Sequence, residues 1–239
     1  MGILTPPRRF EAGRPELMDD PGADPLLLEH DLRHLRMMNR WFGWLAAVRR
    51  HIGPMIDRTP SERPIRVLDL ATGSGDHPLA LVRYARTLGR SLQVVAVDAH
   101  PVAVDIARRH TRHEAAIEVR QADVLRLEEP DGSYDIVVCS LALHHFSRGE
   151  GIDLLRAMLR LSRLGFIVND VHRSWPAAWG AWIWTHLTTR NPLTLHDAYV
   201  SVLRGFTPRE LADMASEAGI ERRAVHREPW FRLVLVGEH

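Results

Sequence analysis

Lysine is absent from this chain of 239 residues: all 31 basic side chains are arginine, set against 30 acidic ones. The near balance leaves a net charge of +1, so no global field draws the protein to nucleic acid or to an anionic membrane surface. The arginine bias reads as overall composition rather than as a phosphate-binding device. Cysteine is almost missing as well. The single Cys139 excludes an internal disulfide framework and any metal centre built from several cysteines, and it leans towards a reducing setting. Long apolar runs are lacking: the tryptophan-rich stretch near residue 180 is interrupted, and no charged segment followed by an apolar one opens the chain. A soluble, cytoplasmic protein without a secretory signal is expected. With 45% hydrophobic residues the chain can close one substantial core, and two independent domains are not expected.

What is present begins with punctuation. Residues 1 to 23 are rich in proline, glycine and charge and read as an irregular arm. From Pro25 to about Ile52, apolar residues recur at three- and four-residue spacings, which predicts an amphipathic helical segment with Gly43 as a candidate break. After the turn-rich DRTPSERP (57 to 64) the pattern changes. Strands are predicted over 65–70, 93–98, 116–121, 134–140 and 165–170, with helices over 78–88, 101–113 and 149–162 between them. Such alternation implies right-handed crossovers and a doubly wound α/β sheet that is mostly parallel. Thr207, Pro208 and Glu210 open a last helix, and RRAVHREP with WFRLVLVGE then has no room for a crossover, which predicts a C-terminal antiparallel hairpin.

The ligand signal is VLDLATGSGD, residues 67 to 76, a tight glycine turn at the end of the first strand. In an open α/β sheet that turn floors the ligand crevice, and Asp98 ends the second strand, where a carboxylate can accept hydrogen bonds from a ribose diol. A dinucleotide fingerprint starting at Gly73 lacks its third glycine, since Pro78 stands there. Asp69 and Asp76 flank the turn and would repel a pyrophosphate, whereas they would attract a sulfonium or an α-ammonium group.

VLDLATGSGD, VVAVDAHP, QADV and CSLALHHF, in this order and spacing, resemble the signature motifs of the class I S-adenosylmethionine-dependent methyltransferases. The resemblance implies a Rossmann-like seven-stranded sheet with S-adenosylmethionine as cofactor and S-adenosylhomocysteine as its product. It places Asp69, Gly73 and Gly75 at the methionine portion, Asp98 on the ribose and Asp123 beside the adenine, and brings in Ala71, Thr72, Ala99, Val124 and Ser140 as further cofactor contacts. Ala71 stands where the family usually has its first glycine. The division this implies is an arm and helical lid over residues 1–60 and a methyltransferase domain over 61–239, with a lid insertion at about 173–206.

The acceptor is read from a second absence. Amino-group methyltransferases of this fold carry an Asn/Asp-Pro-Pro-aromatic turn after strand four, but here Ser140, Leu141, Ala142 and Leu143 occupy it. Histidines cluster at the sheet's carboxyl edge instead. His144 and His145 follow strand four, His172 follows strand five, and His196 with Asp197 lie beyond it. A phenol has a pKa of roughly 10, so a neutral imidazole in reach would help to ionise it. His172 is the first choice of base, followed by His145 and then His144. No metal is expected: Asn169 and Asp170 resemble ligands of metal-dependent catechol methyltransferases, but strand four supplies no aspartate to complete an oxygen-rich magnesium site. Trp175, Trp179 and Trp182 share a helical face, which serves either packing or the wall of an acceptor pocket, and Trp175, Trp179, His196 and Asp197 are the candidate substrate contacts.

VNDVHRS, LTLHDAYVSVLRGFTPREL, ELMDD and LRMMNRWFG look similar to a subgroup of bacterial small-molecule methyltransferases associated with aromatic polyketide pathways. That likeness implies O-methylation of a phenolic or quinol-type small molecule, with C-methylation of the ring, or an inactive nucleoside-binding protein, as the alternatives. Neither nucleic acid nor membrane is expected as a partner. The apolar stripe of the N-terminal helix makes a homodimer a further expectation.

Overall fold

The computed structural model describes residues 5–10, 16–20, 22–60 and 62–239. Five parallel strands form its centre: β1 (Ile65–Leu70), β2 (Leu92–Asp98), β3 (Ile117–Gln121), β4 (Tyr134–Ser140) and β5 (Ser162–Val171). The hairpin of β6 (Arg222–Glu228) and β7 (Arg232–Glu238) completes a seven-stranded sheet in the order β3-β2-β1-β4-β5-β7-β6, with β7 antiparallel to β5. Sequence neighbours at the C-terminus thus do not add in sequence order. β7 slots against β5 and leaves β6 at the edge, where its residues are exposed almost throughout.

Successive side chains of a strand point to opposite faces, so near-continuous apolar strands predict burial on both. Leu68, Val97, Val137, Cys139, Phe166 and Leu235 pack against α5 (Arg148–Leu161) and α8 (Pro208–Glu217). Val67, Val94, Ile136, Val138, Ile167 and Val234 pack against α2 (Trp44–Asp57) and α3 (Asp76–Thr87). The predicted opening of the last helix is present as a capping box, with Thr207 and Glu210 each bonding the other's backbone.

The helical stretch predicted over 25–52 is two helices. α1 (Pro25–Trp41) starts at the Asp24 cap, and Gly43, at φ 69°, breaks it from α2. Only a residue without a side chain turns there at little cost. The two helices take different places. α2 belongs to the layer covering the sheet, whereas α1 packs on α4 (Pro101–Thr111) and on α7 (Pro192–Arg204) above the sheet's carboxyl edge. Segment 173–206 is α6 (Trp175–Thr188) followed by α7, and Thr194 Oγ1 donates to Asp31 Oδ1 at 2.6 Å to tie α7 to α1. The irregular arm expected over 1–23 lies partly outside the described residues. Its described part holds a short 3-10 turn, Leu17–Asp19, over the same edge. No helix among the described residues is long and apolar enough to cross a membrane.

One close approach in this sheet gives a direct test. Gly237 on β7 stands opposite Phe166 of β5, and a Cβ at 237 would lie 2.3 Å from the Phe166 ring. Gly237→Ala is expected to destabilise the protein by about 1–3 kcal/mol through overpacking. Urea unfolding reads this directly, and an unchanged midpoint would refute the account of the contact.

Candidate active site

Strand order reverses between β1 and β4, and a cavity of about 740 Å³ opens above that switch point. This lies within the range of roughly 300–1,000 Å³ ordinary for small-molecule and cofactor sites. The loops after successive strands floor it: Ala71, Thr72 and Gly73 after β1, Asp98 and Ala99 after β2, Asp123 and Val124 after β3, and Ser140 after β4. Asp69 and Gly75 lie behind this surface. A Cβ at Gly75 would come within 2.9 Å of Thr111 and 3.3 Å of Ala107, so this glycine lets α3 start against α4.

The floor is built from backbone and carboxylates. Asp98 Oδ2 accepts from the Gly73 N–H at 2.8 Å and Oδ1 from the His100 N–H at 2.9 Å, which locks the first two loops together. Burial raises Asp98 above the ordinary carboxyl range, although these two donors oppose the shift. Each carboxylate oxygen keeps acceptor capacity for a diol at the cavity wall. Asp123 caps its own short turn through the Leu125 N–H at 3.0 Å. Behind the turn, neither carboxyl oxygen of Asp69 meets hydrogen-bond geometry among the described residues, and burial, opposed by the neighbouring Thr72 hydroxyl and reinforced by Asp76 and Asp98, pushes the group up to about 7. Thr72 Oγ1 and Ser140 Oγ are unpartnered too. Buried orphan acceptors are costly and point to a missing counterpart. This donor set fits an adenosine diol joined to a cationic amino-acid end. Ala71 and Leu141 hold φ of 54° and 56° at the ends of β1 and β4, so Ala71 keeps the left-handed turn that a glycine would adopt freely.

The histidines are sorted by the structure. His144 is 3% exposed and lines the cavity. Its Nδ1 lies 2.6 Å from Asp170 Oδ1, while its own N–H donates to Asp170 Oδ2 at 2.9 Å. Burial pushes the Asp170 carboxyl up, but the His144 charge and the hydrogen bonds from His144 and Val171 outweigh it and hold the group below its ordinary range. Asp170 therefore fixes the His144 ring through Nδ1 and leaves Nε2 on the side of Glu16. Glu16 Oε1 stands 3.5 Å from that nitrogen without a hydrogen-bond partner.

His145 also lines the cavity but carries a different charge. Nδ1 lies 2.9 Å from an Asp19 oxygen and Nε2 lies 3.7 Å from Glu16 Oε2. Burial lowers this imidazole, yet the two carboxylates more than reverse that and bring it to about 9, against the opposing charge of Arg204. At neutral pH it is a cation and no proton acceptor, which removes it as the second choice of base. A group with a raised folded value lends stability below its unfolded value, about 6.5, and loses it as pH rises through 9. Stability is expected to fall by about 1–3 kcal/mol between pH 6.5 and 9.5. Denaturant titrations at the two pH values measure the fall, and His145→Gln should flatten it.

The first-choice base is displaced. His172 does not line the cavity: its N–H donates to the Phe231 carbonyl at 2.8 Å, and β5 has by then turned outward to bridge Phe206. Trp175 packs on Ala177, Ala178, Val202 and Leu203, and Trp179 is 57% exposed, so neither walls the cavity; Ala181 is the α6 residue that does. His196 is off the wall with Nδ1 at 2.7 Å from Asp197. Asp197 does reach it, and its carboxylate accepts from the Leu17 and Met18 N–H groups at 2.8 and 2.9 Å, fastening the 3-10 turn to α7.

Glu16, Asp19 and Arg232 were not singled out from the sequence. The run ELMDD carries the first two, but its acids look like any solvated turn until Asp197 brings them to the cavity. Glu16, His144 and His145 place ligand atoms within 4.8 Å of one another, the set among the described residues with the spacing of a metal site. The proton on His145 already supplies a cation between Glu16 and Asp19.

Comparison with known proteins follows this geometry. Residues 67–165 match the family described as Methyltransferase domain. A demethylmenaquinone methyltransferase of Thermus thermophilus is 39% identical over 94 residues, which is 38% of this chain and 40% of that protein. The ubiquinone/menaquinone biosynthesis C-methyltransferase UbiE of Pseudomonas putida is 27% identical over 176 residues, 67% of each chain. The chain spans about a third to two fifths of the length of the first curated relatives that it matches, 34% and 40%. The solved structure of PigF with SAH superposes with a TM-score of 0.63 at 17% identity, covering 95% of this chain and 63% of that one, which is a likeness of fold. With the glycine turn, the Asp98 lock and the seven-stranded order in place, residues 67–165 are a methyltransferase domain, and the chain is similar in fold and motifs to the class I S-adenosylmethionine-dependent methyltransferases.

Proposed function

We propose that the protein transfers a methyl group from S-adenosylmethionine to a hydroxyl of a small aromatic acceptor, with α1, α7 and the Glu16–Asp19 turn as the lid. The observation that carries this reading is the His144–Asp170 pair facing the cavity. The cofactor supplies a methyl carbon on sulfonium sulfur, a leaving group that needs no protonation. The chain's residues then have three tasks. Asp98 and the Gly73 turn hold the nucleoside end. Leu28, Leu32, Leu35 and Met38 of α1 wall the cavity with apolar surface and exclude water, which suits a flat ring and an in-line displacement. His144 Nε2 would take the acceptor's hydroxyl proton, leaving that oxygen as the nucleophile for the methyl group that the cofactor would supply. The imidazolium so formed lies between Asp170 and Glu16, which stabilise it.

A second reading is C-methylation of an electron-rich ring, favoured by the names of the relatives above. The same base would ionise a ring hydroxyl, a ring carbon would take the methyl group, and the ring proton would then pass to solvent as the phenolate re-forms. A panel of phenols and quinols incubated with methyl-labelled cofactor separates the readings by the carbon NMR shift of the product. A methoxy signal supports oxygen transfer, and a ring methyl supports carbon transfer. Cofactor binding without product over the whole panel would overturn both in favour of a binding protein.

A further inference from the structure

Arg232, the first residue of β7, is a buried cation with no ion-pair partner in contact among the described residues. Its backbone pairs with Val171 at the carboxyl end of β5, so its side chain starts from the same edge as Asp170, and it lines the cavity. The residue is 6% exposed, and Nη1 has no hydrogen-bond partner among the described residues. The two nearby carboxylates are already engaged. Glu228, opposite Arg232 in the hairpin, accepts from Arg50 at 2.6 Å and pairs with His51 at 2.9 Å. Asp170 is held by His144 and by the Val171 N–H.

A guanidinium removed from water and left unpaired is strongly unfavourable, and proteins tolerate it where a ligand completes the pairing. Burial pulls this group down to about 10, with Asp170 opposing, a sign of the same deficit. The surroundings offer further unmatched polarity. His77 lines the cavity with its ring stacked 3.8 Å from Trp44, and its Nδ1 is unpartnered, as is Oδ1 of the adjoining Asn39. The Arg232 charge is close enough to lower the His77 imidazole further than burial and against Asp76. At that corner the Arg232 fork is the matching donor for planar anionic oxygens, with Asp76, 3.7 Å from His77, as the charge of opposite sign.

We propose that Arg232 is the receptor for a carboxylate carried by a ligand of this cavity. Two ligands could bring it: the aromatic acceptor, as a ring acid, or the amino-acid end of the cofactor. Arg232 stands on β7 beside β5, apart from the β2 loop that carries Asp98 but near His77, which follows the β1 turn, so the two sources are told apart by measurement. The identity of the ligands rests on the methyl-transfer reading, but carboxylate binding is measured without turnover, so either can fail alone.

The test is titration calorimetry on wild type, Arg232→Gln and Arg232→Lys. In one arm, S-adenosylhomocysteine is compared with 5′-methylthioadenosine, which lacks the amino-acid end. In the other, with S-adenosylhomocysteine bound, 4-hydroxybenzoate is compared with 4-hydroxybenzamide. The expected result is that wild type prefers the acid to the amide at least tenfold, that Arg232→Gln abolishes the preference and that Arg232→Lys restores part of it. Loss confined to S-adenosylhomocysteine, with methylthioadenosine unaffected, also supports the receptor and assigns the carboxylate to the cofactor. Acids bound equally by wild type and Arg232→Gln in both arms would overturn it. The melting temperature of ligand-free Arg232→Met guards against a structural role: it should equal or exceed that of wild type, and a marked fall means that Arg232 is paired within the fold and refutes the proposal.

Discussion

His144→Ala is expected to lower kcat by about 10²–10⁴, the span of general acid–base catalysis, while S-adenosylhomocysteine affinity stays within a factor of about two. The expectation follows from what the ring touches. Nδ1 is committed to Asp170 and the residue lines the cavity, so the alanine variant removes the proposed proton acceptor and leaves in place the Gly73–Asp98 contact at the cavity floor. Asp170→Asn should follow the same direction, since an amide cannot fix the tautomer as the carboxylate does or balance the imidazolium. The decisive comparison uses acceptors of different acidity. A phenol already ionised at the assay pH needs no base, so its rate should be nearly insensitive to His144→Ala, whereas an ordinary phenol with a pKa of roughly 10 should lose the full factor. Equal losses for the two acceptors would mean that His144 shapes the cavity without moving a proton, and equal retention would leave proximity alone as the source of rate.

The second large effect is on binding. Asp98→Ala is expected to weaken S-adenosylhomocysteine by at least tenfold and up to about 10³, or about 1.4–4 kcal/mol. Two losses combine. The carboxylate is the acceptor placed for a ribose diol, and its oxygens also receive the Gly73 and His100 N–H groups, which otherwise stay unsatisfied at the cavity floor. Asp98→Asn separates them, because the amide keeps an acceptor for one of these N–H groups but sacrifices the charge-assisted bonds to the ligand. Calorimetry gives the affinity, and the melting temperature of the ligand-free variants reports the loop anchor. Undiminished binding to Asp98→Ala would remove the nucleoside from this end of the cavity.

Much of the fold is legible from local chemistry. β1 and β4 coincide with their predicted spans, and Thr207 with Glu210 marks the last helix correctly, because apolar β-branched runs and capping residues act within a few residues of one another. The cofactor floor is legible for the same reason: Gly73 and Asp98 end consecutive strands, and parallel crossovers bring such ends together. The helical segment at the N-terminus was less so. Its apolar spacing runs through Gly43 without interruption, and periodicity cannot say that α2 covers the sheet while α1 roofs the cavity.

The acid–base chemistry lies beyond the sequence's reach for a geometric reason. His144, His145 and His172 are equivalent as letters near strand ends, but the short turn after β4 points His144 at Asp170 while β5 carries His172 outward to Phe206 and Phe231. Asp19 and Glu16 lie more than a hundred positions from His145, which they charge, and they arrive because Asp197 and Ser201 hold their segment on α7. Arg232 has the same history: in a strand reading it is one polar letter of an edge hairpin, and the insertion of β7 beside β5 turns it into a buried cation at the cavity. The sequence by itself determined the sheet, the glycine turn and the nucleoside end, since these depend on periodicity and on short-range stereochemistry. Which histidine pairs with a buried aspartate, which one carries a charge and which cation lacks a partner among the described residues were decided by tertiary structure alone, because desolvation and charge pairing depend on through-space distances of a few ångströms that chain separation does not encode.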